Sequence, residues 1–327
     1  MAGGKKGRQG SQQALLQMAP DFAEDDYSHE GAMSHHEDLD DTATMILKSS
    51  ARGTPMVVFL YVIIAACSNM LFGFEQSVIS QAKIEFSNEF NISSTSFAYG
   101  FLASANPLGA TVGAVSAGFL QGPIGRRFTL ILACLIYSGA VMVSFFSTGF
   151  PMLAWGRLQT GLAIGLFSST GPMYIAELSP PSIRGKLVTC NQIAICTGIL
   201  LGFVVDKLLV PQWRLMFIAG LPLAGLLLLS FVFITPFSPR WLMTKGREDE
   251  ARTVLRNIRG AKVHGLPHRG IEAEVETELD GIRAAVEMSK KTSAWEVMKQ
   301  PWVMKAVLVG VTLAFIQQWS GVNTVNR

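Results

Sequence analysis

FTLILACLIYSGAVMVSFFS, residues 128–147, holds no Asp, Glu, Lys or Arg, and neither does LMFIAGLPLAGLLLLSFVFIT, residues 215–235. A helix rises 1.5 Å per residue, so about 20 apolar residues cross the roughly 30 Å hydrocarbon layer of a bilayer. A surface helix of a soluble protein carries an apolar stripe and a charged back, and these runs have no charged back. The length criterion therefore favours membrane spans over a large soluble all-helical protein. Outward from these two runs the same property recurs over about 56–80, 97–121, 151–176 and 185–209. The second run extends over 213–234, and a seventh segment covers about 302–326. The expectation is an all-α transmembrane chain. It has a disordered tail over 1–54, a six-helix bundle over 55–235, a cytoplasmic linker of short helices over 236–301 and a seventh span over 302–327.

The net charge of +3 carries no nucleic-acid signal, but the placement of the cations is informative. Lys48 and Arg52 precede the first span, Arg126 and Arg127 lie between spans two and three, and Arg184 and Lys186 between four and five. A dozen more lie over 236–301, while the alternate loops hold Lys83, Lys207 and the span-edge Arg214. Cytoplasmic loops are rich in Lys and Arg, so the N-terminus is expected in the cytoplasm. The plasma membrane is the expected location. Cys67, Cys134, Cys190 and Cys196 all fall inside spans at no zinc spacing, and they read as small packing residues. The first apolar run begins past residue 55 and is too long for the core of a secretory signal, so it is expected to act as an uncleaved one.

The tail is polar, and it cannot bury enough apolar surface to offset its ordering entropy. Its His29, His35 and His36 read as solvated residues rather than metal ligands. Asn91-Ile92-Ser93 is a glycosylation sequon in a loop expected outside the cell. In the linker, Ala251, Val254, Leu255 and Ile258 form one apolar stripe. Val275, Leu279, Ile282 and Val286 form another, each at helical spacing. Two short helices lying against the membrane domain fit this length better than a separate domain.

The polar residues inside spans carry the chemistry. Glu75 lies in span one and Arg157 in span four, and the expected directions of these spans put both in the outer half of the membrane. Intramembrane charges are rare and functional by default. Two readings stand: a static ion pair locking two helices, or a pair that protonation of Glu75 opens. Arg157, Gly161 and Gly165 recur every four residues, and such glycines admit close helix approach. Gly125-Arg126-Arg127 and Arg184-Gly185 close short turns, the second after Glu177. There arginine forks onto carboxylates or interacts with helix C-termini, and phospholipid headgroups are a further partner. Gln192, beside Asn191, lies early in span five. Gln317, Gln318 and Asn323 lie in span seven. Carboxamides donate and accept, which suits neutral polyhydroxylated ligands such as a sugar or polyol, and left unpaired in lipid they are costly.

These residues carry a resemblance. The chain resembles the sugar porters of the major facilitator superfamily, with fungal and other eukaryotic hexose or polyol transporters the most similar. The matches run from Gly73-Phe74-Glu75 through Gly125-Arg126-Arg127, Gly156-Arg157 and Pro172-Met173-Tyr174-Ile175-Ala176-Glu177. They continue with Arg184-Gly185, Asn191-Gln192, Pro236-Phe237-Ser238-Pro239-Arg240-Trp241-Leu242 and Gln317-Gln318-Trp319-Ser320-Gly321-Val322-Asn323. The resemblance implies two six-helix bundles that rock about a midmembrane sugar site. It implies that Gln192, Gln317, Gln318 and Asn323 contact sugar. It also implies that Glu75 and Arg157 match a proton-coupling Asp–Arg pair, and that Arg126, Arg127, Glu177, Arg184 and Arg240 form a cytoplasmic latch.

Three departures stand out. Glu75 replaces the Asp, and Gly122 and Pro123 replace a charged or polar pair. Phe237 replaces a Glu, which predicts a weaker latch. No covalent chemistry, nucleotide, metal or cofactor is expected beyond a coupling proton. The family's further five helices do not follow Arg327, so the expectation is an incomplete half that needs a C-terminal bundle. A non-transporting truncated product and a sugar sensor of the same fold are the alternatives.

Overall fold

The computed structural model describes residues 56–90, 93, 96–259, 269–291 and 299–319. The tail 1–54, Asn91 and Asn323 lie outside the described residues. Among the described residues eleven helices follow in order. The first five are α1 (Met56–Glu89), α2 (Phe97–Leu120), α3 (Arg126–Phe145), α4 (Phe150–Leu178) and α5 (Arg184–Leu209). The sixth span is two pieces, α6 (Trp213–Ile218) and α7 (Leu221–Phe233). Pro222, which has no backbone N–H and disfavours helix in the residue before it, explains the break. Beyond the bundle come α8 (Pro239–Thr244), α9 (Glu248–Ile258), α10 (Arg269–Lys291) and α11 (Pro301–Trp319).

The helix ends are set locally. Ser96 caps α2 by accepting from the Tyr99 N–H at 3.3 Å, and Ser238 caps α8 by accepting from Trp241 N–H at 3.3 Å. Gly125 precedes α3 at φ +85°, where a side chain is strained, and a Cβ there would lie 2.8 Å from the Trp241 ring.

Among the described residues four segments are long and apolar enough to cross a membrane: Met56–Ser80, Arg126–Phe145, Arg184–Leu209 and Trp213–Phe233. α2 and α4, with 24 and 29 residues, match them in length. α4 packs against α1, α2, α3 and α5, so its surface meets protein more than lipid, and it buries Gly156, Arg157, Thr160, Gly161 and Thr170. The apolar part of α11 is Pro301–Leu313, shorter than the expected seventh span, whose remainder after Trp319 lies outside the described residues.

Two seams hold the bundle together. α1 lies along α5, and α2 along α4. Each seam is built from glycines on both partners. A Cβ on Gly73 would sit 2.0 Å from the Ile195 carbonyl oxygen, and one on Gly198 2.0 Å from that of Met70. In the other seam a Cβ on Gly113 would sit 2.1 Å from Leu162 O and one on Gly161 2.1 Å from Asn106 O. Only a bare backbone permits such approach, which gains dispersion contact where lipid offers no hydrophobic driving force. On the linker side Trp241, Leu242, Ala251, Leu255, Val275, Leu279 and Val286 form a small core. The two stripes predicted for the linker thus face each other. Ion pairs between α9 and α10 flank them, Arg256–Glu272 at 2.9 Å and Arg259–Glu278 at 2.7 Å.

Candidate functional site: a buried charge pair and its surroundings

Glu75 on α1 and Arg157 on α4 meet. Arg157 Nη1 donates to Glu75 Oε2 at 2.6 Å, and each side chain is 1% exposed. Removing two charges from water costs several kcal/mol per ion, offset only by good geometry and further hydrogen bonds. The further bond comes from α3: Tyr137 OH donates to Glu75 Oε1 at 2.8 Å. Arg157 lies over the Phe217 ring of α6, its Cζ 5.0 Å from the centroid. No described residue accepts from Arg157 Nε or Nη2. Close packing makes room for the cluster. Gly156 abuts Ser144, where a Cβ would come within 2.4 Å of Oγ, and Gly220 abuts Tyr137 OH, where a Cβ would come within 2.3 Å. The sequence pointed to Glu75 and Arg157 by their charge. It gave no sign of Tyr137 or Phe217, because an aromatic in an apolar run is the ordinary content of a span.

The expected latch residues divide. Arg126 Nη2 lies 2.8 Å from Glu177 Oε1, close enough to attract but outside the angle of a hydrogen bond, and its Nη1 donates to Gln121 O at 3.1 Å. Ser238 Oγ donates to the other Glu177 oxygen at 2.5 Å. Arg127 turns to the C-terminus of α7, donating Nε to Phe231 O at 2.7 Å and Nη2 to Val232 O. Cations belong there, where helix carbonyls are unpaired. Its Cζ also lies 4.7 Å from the Phe237 centroid, and Phe237 stacks on Trp241. Where the resemblance leads one to look for a glutamate, this chain sets an aromatic ring against the arginine. Trp241 Nε1 in turn donates to Gly122 O at 3.0 Å. Arg184 and Arg240 are exposed and form no ion pair among the described residues.

Gln192 is exposed on α5, its Nε2 3.9 Å from the Cys196 sulfur, on a side where Ile193, Leu200 and Phe203 are also uncovered. Cys196 is exposed too, whereas Cys134 packs in the core. Behind Gln192, the buried Asn69 of α1 donates Nδ2 to Asn191 Oδ1 at 2.7 Å and to Phe167 O at 3.4 Å, joining α1, α4 and α5. Gln317 and Gln318 lie on α11, but their side chains are outside the described residues, as is Asn323.

At the far end of α1, beyond the apolar segment, Glu89 accepts from Arg214 Nη1 and Nη2 at 2.9 and 2.7 Å and from Trp213 Nε1 at 2.7 Å. Arg214 Nη2 also reaches Ser147 O at 3.1 Å. The Arg214 hydrogen bonds, with that of Trp213, hold the Glu89 carboxyl below its ordinary pKa.

Comparison with known proteins agrees with this geometry. Residues 60–326 match the family model described as "Sugar (and other) transporter". The chain is 32% identical over 270 residues to the glucose transporter GlcP of Staphylococcus epidermidis, covering 82% of this chain and 57% of that protein. It is 32% identical over 281 residues to the galactose-proton symporter of Escherichia coli, covering 85% of this chain and 57% of that protein. Among solved structures, the proton:xylose symporter XylE bound to 6-bromo-6-deoxy-D-glucose superposes with a TM-score of 0.72. The identity is 27%, over 84% of this chain and 62% of that one. The chain thus spans somewhat more than half the length of these relatives. It is a multi-pass integral membrane protein and belongs to the sugar transporter family of the major facilitator superfamily.

Proposed function

We propose that this chain supplies the first bundle, the linker helices and part of the seventh helix of a transporter that moves a sugar or polyol together with a proton. The observation that carries this reading is the Glu75–Arg157 pair, 2.6 Å apart and 1% exposed on each side. A proton arriving on Glu75 neutralises it and leaves the Arg157 charge without its counter-ion. The helices bearing them, α1 and α4, then lose their strongest mutual attraction. That is a two-state element whose balance a proton biases, as coupling requires. Gln192 would meet sugar hydroxyls from this bundle, with Gln317, Gln318 and Asn323 opposing it from the seventh helix. Relatives support the substrate class: a galactose-proton symporter and an arabinose-proton symporter of Escherichia coli, and a proton myo-inositol cotransporter of Homo sapiens. The N-terminus would be cytoplasmic and the plasma membrane the site of action, following the cation placement.

The test is uptake in a host lacking its own sugar carriers. The complete transporter that contains this chain should accumulate one of labelled galactose, arabinose, xylose or myo-inositol against its gradient, and a protonophore should abolish the accumulation. Glu75→Gln should retain exchange while losing accumulation. No uptake of any of the four, with the protein present in the membrane, would overturn the reading.

A further inference from the structure

We propose that Tyr137 is a positioning residue for the proton site, acting as the reversible partner of Glu75 Oε1. This rests on the reading of Glu75 as the proton-binding carboxyl. The two oxygens of Glu75 have different partners. Oε2 faces the Arg157 guanidinium, which only donates and never accepts. Oε1 faces the Tyr137 hydroxyl at 2.8 Å, which does both. In the charged state the phenol donates to the carboxylate. When a proton binds Oε1, the new O–H donates and the phenol oxygen accepts, with rotation of one hydroxyl and no movement of a helix. Oε2 offers no such exchange, because its neighbour cannot take a hydrogen bond. The proton is therefore directed to Oε1, and the Arg157 contact is weakened from the opposite side of the carboxyl.

The surroundings hold the phenol to this task. Tyr137 is 0% exposed, and Gly220 closes on its oxygen so tightly that a methyl would displace it. Among the described residues Glu75 bonds to Arg157 of α4 and Tyr137 of α3. The helices packed against α1 also carry the buried Asp206 on α5, with neither oxygen bonded to a described residue, and Arg214 on α6, which is committed to Glu89. α7 contributes no acid or base over Leu221–Phe233.

A readout that does not need transport separates this inference from the functional reading. Infrared spectroscopy of the purified chain in lipid discs distinguishes a protonated from an ionised carboxyl, and the band lost in Glu75→Gln identifies Glu75. Titrating that band gives the midpoint of Glu75 protonation. Tyr137→Phe deletes one oxygen and so removes a donor to the charged form. A hydrogen bond to a charged group is worth enough that the midpoint should rise by about one pH unit or more. Asp206→Asn should leave it in place. An unchanged midpoint in Tyr137→Phe, with the helical circular-dichroism signal intact, overturns the proposal. If Tyr137→Phe fails to fold, Gly220→Ala, which crowds the phenol from the other side, should move the same midpoint upward. No movement there overturns it equally.

Discussion

Arg157→Met leaves Glu75 buried with its charge uncompensated. The change removes an ion pair at 2.6 Å and a guanidinium 5.0 Å from the Phe217 centroid, while the methionine refills much of the stem. Breaking a buried pair by deleting one partner costs about 3–5 kcal/mol. Tyr137 still donates to Glu75 Oε1, which places the cost near the lower bound, about 3 kcal/mol. In Glu75→Gln/Arg157→Met no charge remains, and the amide oxygen still accepts from Tyr137. That double variant should lose only about 1 kcal/mol, because neutral replacement of a buried pair is close to neutral. The pair is then coupled by about 2 kcal/mol or more, a factor of roughly 30 in the unfolding equilibrium. Unfolding of the purified chain in mixed micelles, followed by tryptophan fluorescence, measures all three variants. A double variant as destabilised as the sum of its two singles would refute the argument, because the two side chains would then act independently.

Gly161→Ala places a methyl 2.1 Å from Asn106 O, where ordinary contact begins near 3.4 Å, so α2 and α4 must part by 1.3 Å (3.4 − 2.1). Overpacking of this kind costs about 1–3 kcal/mol, and the same micelle unfolding reports it. Gly139→Ala meets nothing within 4 Å in the middle of α3 and should instead stabilise by up to about 1 kcal/mol through helix propensity. The Glu89 clasp predicts a pH dependence. Its carboxyl is held below the ordinary range, so the stability it adds is complete above that range and disappears as pH falls through the folded value. The exposed setting keeps this below about 1 kcal/mol, and Glu89→Gln should remove that part of the acid sensitivity. Phe237→Leu takes the ring from under Arg127, losing about 1 kcal/mol, and faster tryptic cleavage around Arg240 would reveal the loosened α7–α8 junction.

Charge was the most legible signal in the sequence, because a charged residue in an apolar span needs a partner and few are on offer. That logic found Glu75 and Arg157. It could not find Tyr137, whose role depends on the register of α3 against α1, nor Asn69, which reads as one polar residue in a long apolar run. The repeat of Arg157, Gly161 and Gly165 was legible as spacing but not as direction. A helix turns 100° per residue, so each fourth position drifts by about 40°. Arg157 accordingly reaches α1, while Gly161 and Gly165 press on α2. Phe237 read as a lost charge, since pattern comparison registers the missing glutamate and not the ring that Arg127 covers. Arg184 and Arg240 show the opposite case: they match the motif, yet they are exposed and unpaired among the described residues. Six runs of spanning length were legible too, but not that α4 is surrounded by other helices rather than by lipid.

The contact between Gly220 and the Tyr137 oxygen has an evolutionary consequence. The two positions are 83 residues apart in the chain (220 − 137), yet a methyl on one would stand 2.3 Å from the hydroxyl of the other. Neither can drift freely. A lineage that gains alanine at 220 must either shift the phenol at 137 or give up its hydroxyl. A single oxygen atom thus links the two sites, which should change as a pair across the descendants of this chain.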